Sequence, residues 1–185
     1  MRVISGKLKG KTISFLKSKK TRPLKDSVKE NIFNVLAHSN LVKVKLEMSN
    51  ILDLYSGIGS FGIECISRGA NRITFVEKDK DVVQTLKKNL SNLSIQNQAT
   101  IETDEIENFL NKKHNFKFEI IFLDPPFIEE TYINELRLIH EKKIYAKNHL
   151  IILHREKSSP NNFEQIINPL IIKEYGRSKI VFGRF

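Results

Sequence analysis

The sequence predicts an α/β fold, a doubly wound and mostly parallel sheet with helices on both faces. Three observations carry this. From Asn50 onward, short apolar runs alternate with amphipathic helical stretches, the order that parallel βαβ units require. The strand-like runs are apolar and β-branched almost throughout, as expected where both faces of a sheet are covered. The chain then closes on two strand-like runs around "YGRS", which breaks the rhythm and predicts a hairpin that places an antiparallel strand in the sheet. At 185 residues the chain is of single-domain size, able to bury roughly 70% of its unfolded surface.

Taken in order, "RVISGKLKGKTISF" reads as a small β-hairpin, Arg2 to Ser5 and Thr12 to Phe15, around a turn of Gly and Lys. In "KTRPLKDSVKENIFNVLAHS" Asp26 or Ser27 can cap a helix. Ser27 and Glu30 have capping-box spacing, and Val28, Ile32, Val35 and Leu36 share one helical face. The alternation then begins: "ILDLY" as strand, "FGIECISR" as helix ended by Gly69, "ITFVE" as strand, and "DVVQTLKKNLSNL" as helix with Val82, Val83, Leu86, Leu90 and Leu93 inward. It continues with "ATIET", "EIENFL", "EIIFLD", "YINELRLIHEK" and "LIILH". There is no internal repeat, low-complexity tract or long linker. The natural division is a basic arm, residues 1–25, on a body of residues 26–185.

Charge supports that division. The net charge is +10, yet residues 1–25 hold nine basic side chains and no acidic one, which leaves the other 160 residues nearly neutral at +1. A basic hairpin on a neutral body is the electrostatic footprint of a polyphosphate partner. Arg2, Lys7, Lys9, Lys11 and Arg22 are the candidate contacts. Several classes are disfavoured. No apolar run approaches the ~20 residues that span a bilayer, and the first residues lack the apolar block of a signal peptide, so a soluble, cytoplasmic protein is expected. Cys65 is the lone cysteine and reads as a small core residue. The five histidines lack ligand spacing, so no metal site is expected. His154 reads as a satisfied strand histidine. No large apolar face is evident, and a monomer is expected.

Ligands of open α/β sheets sit outside the carboxyl ends of the strands, and four motifs fall there. In "DLYSGIGSFG", Asp53 to Gly62, the glycines Gly57, Gly59 and Gly62 spell G-x-G-x-x-G, the loop that brings a dinucleotide's pyrophosphate to a helix N-terminus. An NAD-linked oxidoreductase is therefore one reading. Asp53 argues against a diphosphate and for a cationic ligand such as S-adenosylmethionine, with Ser56, Gly57 and Gly59 shaping the loop. In "VEKD", Glu77 beside Lys78 can accept both ribose hydroxyls of either cofactor. Asp104 follows the third strand, where it can meet an adenine amino group or cap "EIENFL".

The fourth motif is "DPPF", Asp124 to Phe127. Two successive prolines neither continue a strand nor enter a helix interior, so Pro125 and Pro126 make a rigid turn at the strand end. Asp124 offers one acceptor, the Pro125 carbonyl a second, and Phe127 a ring on which a base can stack. Together they suit an amino group on a planar ring. These four residues are the candidate catalytic set.

With "DLYSGIGSFG" and "VEKD", this motif resembles the class I methyltransferases that modify exocyclic amino groups. The whole chain is similar to the bacterial 16S rRNA (guanine(966)-N2)-methyltransferase family, through "MRVISGKLKGKTI", "TRP", "DSVKENIFNVL", "SRGA", "FVEKD", "FLDPPF" and "YGRSKIVF". The D-P-P-F element is shared with adenine-N6 and cytosine-N4 enzymes. The amino-terminal segments are more specific. Two positions depart from the family pattern: Leu24 stands where threonine is usual, and Ser27 where a basic residue is common, with Lys25 and Lys29 keeping charge nearby. The resemblance implies a Rossmann-like seven-stranded sheet, S-adenosylmethionine as donor, and guanine N2 of small-subunit ribosomal RNA, free or in an assembling subunit, as acceptor. The alternatives are an adenine-N6 or cytosine-N4 enzyme, the oxidoreductase, and a non-catalytic adenosine-binding RNA protein.

Overall fold

The computed structural model describes residues 1–15, 24–127 and 130–185. Of the basic side chains in the arm, Lys17, Lys19, Lys20 and Arg22 lie outside the described residues.

A first helix, α1 (Asp26–His38), precedes the sheet. The alternation then runs β1 (Asn50–Leu54), α2 (Ser60–Ser67), β2 (Arg72–Val76), α3 (Lys80–Asn92), β3 (Ala99–Glu102), α4 (Ile106–Asn111), β4 (Phe118–Leu123), α5 (Tyr132–Lys142) and β5 (Tyr145–Glu156). The hairpin of β6 (Asn168–Tyr175) and β7 (Ser178–Arg184) closes the chain. Its turn is "GR", with Gly176 at a φ of 59°, a conformation that costs glycine nothing. The seven strands lie in the order β3-β2-β1-β4-β5-β7-β6. β1 to β5 are parallel, and β7 runs antiparallel to both β5 and β6. The doubly wound sheet with an antiparallel carboxyl-terminal strand is thus present.

Successive strand side chains point to opposite faces, and this period of two sorts the core into two layers. Ile51 of β1, Ile120 and Phe122 of β4, Leu150 and Ile152 of β5, and Ile180 and Phe182 of β7 pack with α1, α2 and α3. Their neighbours Leu52, Leu54, Ile121, Leu123, Ile151, Leu153 and Val181 pack with α4 and α5. Steps of two from Ile51, Phe122, Ile152 and Ile180 put Asp53, Asp124, His154 and Ser178 on the α1–α3 side. Arg155 falls on the other.

Two local expectations change. Among the described residues the arm is a hairpin with one isolated antiparallel bridge, Arg2 with Thr12, and a further bond from Gly10 N to the Val3 carbonyl, rather than two four-residue strands. The reason lies in α2: the Ile4 and Ser5 N–H groups donate to the Glu64 carboxylate at 2.8 and 2.9 Å, so they are not spent on a ladder. Val3 and Ile13 are buried in the same layer as α1 to α3. In α1 the cap position is Lys25 with no side-chain cap bond, in place of a Ser27 capping box. Asp26 instead pairs with Lys29 at 3.5 Å. The buried face is Val28, Lys29, Ile32, Phe33 and Leu36, with Val35 only half-buried. Lys29 is fully buried, bonded to the Arg2 carbonyl and to Ser60 Oγ, so its charge is directed into the fold and not toward a partner. Among the described residues no helix is long and apolar enough to cross a membrane.

Candidate active site

Strand order reverses between β1 and β4, the position at which open α/β sheets form a crevice. A cleft of about 1100 Å³ opens there. It is lined by Asp53, Ser56 and Gly57 from the glycine loop, by Glu77 and Lys78 after β2, by Asp104 after β3, and by Asp124, Pro125, Pro126 and Phe127 after β4. All four motifs meet in one place.

The glycines divide their work. Gly57, at a φ of 54°, has open space where a Cβ would stand, so its backbone is approachable from the cleft. Gly59, the αL residue that begins α2, faces away from the cleft: a Cβ there would stand 2.5 Å from Leu86 Cδ1 of α3. Gly62 lets α2 press onto β2, since a Cβ would stand 2.3 Å from Phe75 Cε1. Ser56 Oγ, on the cleft wall, is buried without a partner among the described residues.

Asp53 is buried, and its Oδ2 accepts the Gly62 N–H at 3.0 Å. Burial pushes its carboxyl well above the usual range; the Gly62 bond opposes this, while the Asp124 and Glu77 charges add to it. A cation beside it would favour the charged form again. Glu77 ties loop to strand, Oε2 accepting from Gly57 N and Oε1 from Asp79 N, both at 3.0 Å. Each oxygen keeps a further lone pair. Asp79 caps α3 through the N–H groups of Asp81 and Val82. Lys78 is exposed and pairs with Glu105 at 3.4 Å. Asp104 directs its oxygens to α4, accepting from Glu105 N and Asn108 Nδ2 and pairing with Lys112 at 3.0 Å; the Asn108 and Lys112 bonds hold its carboxyl below the usual range. It forms the rim of the cleft, its oxygens already engaged by its own helix.

The "DPPF" turn is held from two sides. Asp124 Oδ1 lies 2.8 Å from His154 Nδ1, and His154 Nε2 lies 2.9 Å from Ser178 Oγ. The Phe127 ring stands edge-on to the same imidazole, centroids 5.3 Å apart at 85°. From the other face, Arg155 donates through Nη1 to the Pro126 carbonyl at 3.0 Å and through Nη2 to the Phe127 carbonyl at 2.9 Å. Its guanidinium rests 4.4 Å from the Tyr132 ring. Pro125, between these anchors, lines the cleft.

His154 is satisfied, as read from the sequence, and what satisfies it is Asp124. Arg155 and Ser178 had no such reading. A signal existed: "LIILHRE" is the strand next to "DPPF" in the parallel order, so its polar end must meet that turn. Tyr55 Oη and the buried Glu135 of α5, 2.6 Å apart, also line the cleft and carried no motif. On the arm, Arg2, Lys7, Lys9 and Lys11 are all exposed, with Lys7 Nζ bonded to Gln98 at 2.8 Å.

Over residues 1–184 the chain matches a family model described as "Conserved hypothetical protein 95". It is 36% identical over 155 residues to "Ribosomal RNA small subunit methyltransferase D" of Buchnera aphidicola subsp. Acyrthosiphon pisum, covering 84% of this chain and 78% of that one. It is 35% identical over 159 residues to "Putative rRNA methyltransferase YlbH" of Bacillus subtilis, covering 85% and 83%. A solved structure described as "Putative methyltransferase yhhF from Escherichia coli" superposes on 100% of this chain and 97% of its own, with a TM-score of 0.81 at 27% identity.

Proposed function

The chain belongs to the family described as Conserved hypothetical protein 95, and from that premise we propose that it transfers a methyl group from S-adenosylmethionine to the exocyclic N2 of a guanine in small-subunit ribosomal RNA. The observation that carries the reading is the turn Asp124 to Phe127, where a carboxylate, a carbonyl and an aromatic ring reach one cleft. Relatives named as small-subunit ribosomal RNA methyltransferases support the substrate class. The work is assigned to the cytoplasm, on the RNA or on an assembling subunit. The arm, residues 1–25, acts as an RNA-binding appendage of the methyltransferase body, residues 26–185.

The cleft fits this donor. Its volume of about 1100 Å³ leaves room for a nucleoside cofactor and part of a base. Its wall is acidic, with Asp53, Glu77 and Asp124, which suits a cationic ligand and disfavours the diphosphate of NAD. Ser56 Oγ awaits a polar partner, and Gly57 leaves its backbone open. When bound, S-adenosylmethionine supplies a methyl group on a positively charged sulfur. Glu77 would hold the ribose hydroxyls with its remaining lone pairs, and Asp53 the cationic end. Gly59 and Asp104 would act on the cofactor indirectly, Gly59 through the packing of the loop on α3, Asp104 through the rim.

Guanine N2 is a poor nucleophile because its lone pair is delocalised into the ring. Asp124 and the Pro125 carbonyl would accept hydrogen bonds from its two N–H groups, which directs the lone pair out of the ring plane, while Phe127 stacks on the base; N2 would give up one of those protons to solvent as the methyl group is transferred. Positioning of this kind supplies about 7 to 11 kcal/mol at best. A paired target base would have to leave its stack at a cost of a few kcal/mol. Phosphate contacts of Arg2, Lys7, Lys9, Lys11 and Arg22 would offset it.

The test is to incubate the purified protein with tritiated S-adenosylmethionine and ribosomal RNA, free and in small subunits, then resolve the nucleosides. Label in N2-methylguanosine is the expected result. Label in N6-methyladenosine or N4-methylcytidine would move the acceptor, and no label on any RNA would overturn the reading.

A further inference from the structure

We infer that His154 and Ser178 are positioning residues for Asp124, so that the unit gripping the target amino group is the chain Ser178, His154, Asp124; this rests on the reading of the cleft as a methyl-transfer site. Asp124 directly follows β4, His154 lies in β5 and Ser178 begins β7, three strands adjacent in the sheet. The period of two puts all three side chains on one face. His154 and Ser178 are buried, 6% and 4% exposed, whereas the Asp124 side chain keeps 22% of its surface toward the cleft.

The bonding fixes the tautomer. An ionised carboxylate only accepts, so the 2.8 Å contact makes His154 Nδ1 the donor to Asp124 Oδ1. In the neutral ring Nε2 is then the acceptor, and the Ser178 hydroxyl at 2.9 Å donates to it. Among the described residues Oδ1 is thereby held by His154, and Oδ2 is the oxygen left for an amino group. The same imidazole braces the Phe127 ring edge-on at 5.3 Å. One buried ring thus orients both the acceptor and the stacking platform. A bare carboxylate on a strand end has χ1 and χ2 to lose on binding; here both are set in advance.

Three substitutions separate this from packing. His154→Asn keeps a side-chain nitrogen at the Nδ1 position, His154→Gln keeps one near Nε2, and His154→Leu keeps only volume. In methyl transfer to small-subunit ribosomal RNA, His154→Leu should lower kcat about 100-fold, the scale of a misplaced reacting group. His154→Asn should recover most of that loss and His154→Gln little of it. KM for RNA and calorimetric affinity for S-adenosylhomocysteine should stay close to the parent's in all three. Recovery by Gln rather than Asn, or an unchanged kcat in His154→Leu, overturns the inference. The tautomer is read without turnover: imidazole 15N spectra of the parent at pH 8 should show protonated Nδ1 at His154, Ser178→Ala should shift the Nε2 resonance, which loses its donor, and Asp124→Ala, which removes the acceptor at Nδ1, should let the Nε2 tautomer appear. A protonated Nε2 in the parent overturns the inference whatever base is methylated. Absence of label in guanine overturns the acceptor assignment alone, and the spectrum still decides the positioning.

Discussion

Replacing Glu64 by Ala should unfasten the amino-terminal arm and destabilise the whole chain. Glu64 is fully buried in the middle of α2, where it accepts Ile4 N and Ser5 N at 2.8 and 2.9 Å and Arg68 Nε at 2.8 Å, with Lys29 Nζ at 3.9 Å. Glu64→Ala removes three charge-assisted bonds together. It also strands Lys29, whose remaining carboxylate is the half-exposed Asp26 at 3.5 Å. Burial already lowers the Lys29 pKa, with Glu64 the first charge opposing that shift, so the variant should lower it further. Removing one partner of a buried ion pair costs about 3 to 5 kcal/mol, which for a chain of this size corresponds to a melting point lower by roughly 6 to 20 °C. Urea unfolding gives the free energy, and hydrogen exchange of the Ile4 and Ser5 amides reports the arm. The double change Lys29→Met with Glu64→Leu should recover only the part of the loss that comes from the stranded Lys29 charge, because the Ile4, Ser5 and Arg68 donors still lack their acceptor. A single-variant cost below about 1 kcal/mol, with both amides still protected, would refute the reasoning: the arm would then be held by Val3 and Ile13 alone.

Other outcomes follow from the same geometry. Gly62→Ala should cost about 1 to 3 kcal/mol by overpacking against Phe75 while leaving the affinity for S-adenosylhomocysteine intact. Gly57→Ala should cost about 1 to 2 kcal/mol of backbone strain and weaken that affinity; denaturation and calorimetry on both variants separate the roles. Asp124→Ala should lower methyl transfer by about two orders of magnitude with S-adenosylhomocysteine still bound, and an equal loss of binding would make it a cofactor ligand. Burial lowers the pKa of His149 and His114 below the ordinary 6.5. The unfolded chain then takes up protons that the folded one refuses, so stability is full above about pH 6.5 and declines as pH falls from there toward the folded values; melting curves between pH 7.5 and 5 should show the decline, and His149→Gln should reduce it. If about six basic side chains of the arm meet phosphates of unpaired RNA, affinity should drop two to three orders of magnitude between 50 and 200 mM salt. Salt-insensitive binding would remove the arm from the RNA interface.

The strand and helix order was legible because a parallel sheet covered on both faces leaves long apolar runs, and the glycine and proline loops between them are punctuation that composition cannot hide. The convergence of Asp53, Glu77, Asp104 and Asp124 was legible for a related reason: parallel strands put every motif that follows a strand at the same edge. The amino terminus was read less well. Ser27 has the spacing of a capping box, but Lys29, two residues on, is drawn into the fold by Glu64, and a buried ion pair between residues 35 positions apart has no period to reveal it. The hairpin strands fared likewise, since Glu64 competes for the N–H groups a ladder would use.

The sequence by itself determined the architecture, the cleft's position and the chemical character of its wall, since these follow from local periodicity and from which residues succeed each strand. Only the tertiary structure decided how the wall is held. Whether Asp124 stands free or is fixed by His154 and Ser178 depends on strand neighbours and register, and which strand of the closing hairpin lies beside β5 is not specified by apolar patterning. The same holds for Arg155, one residue from His154 and on the opposite face, which grips the carbonyls of the turn that His154 orients.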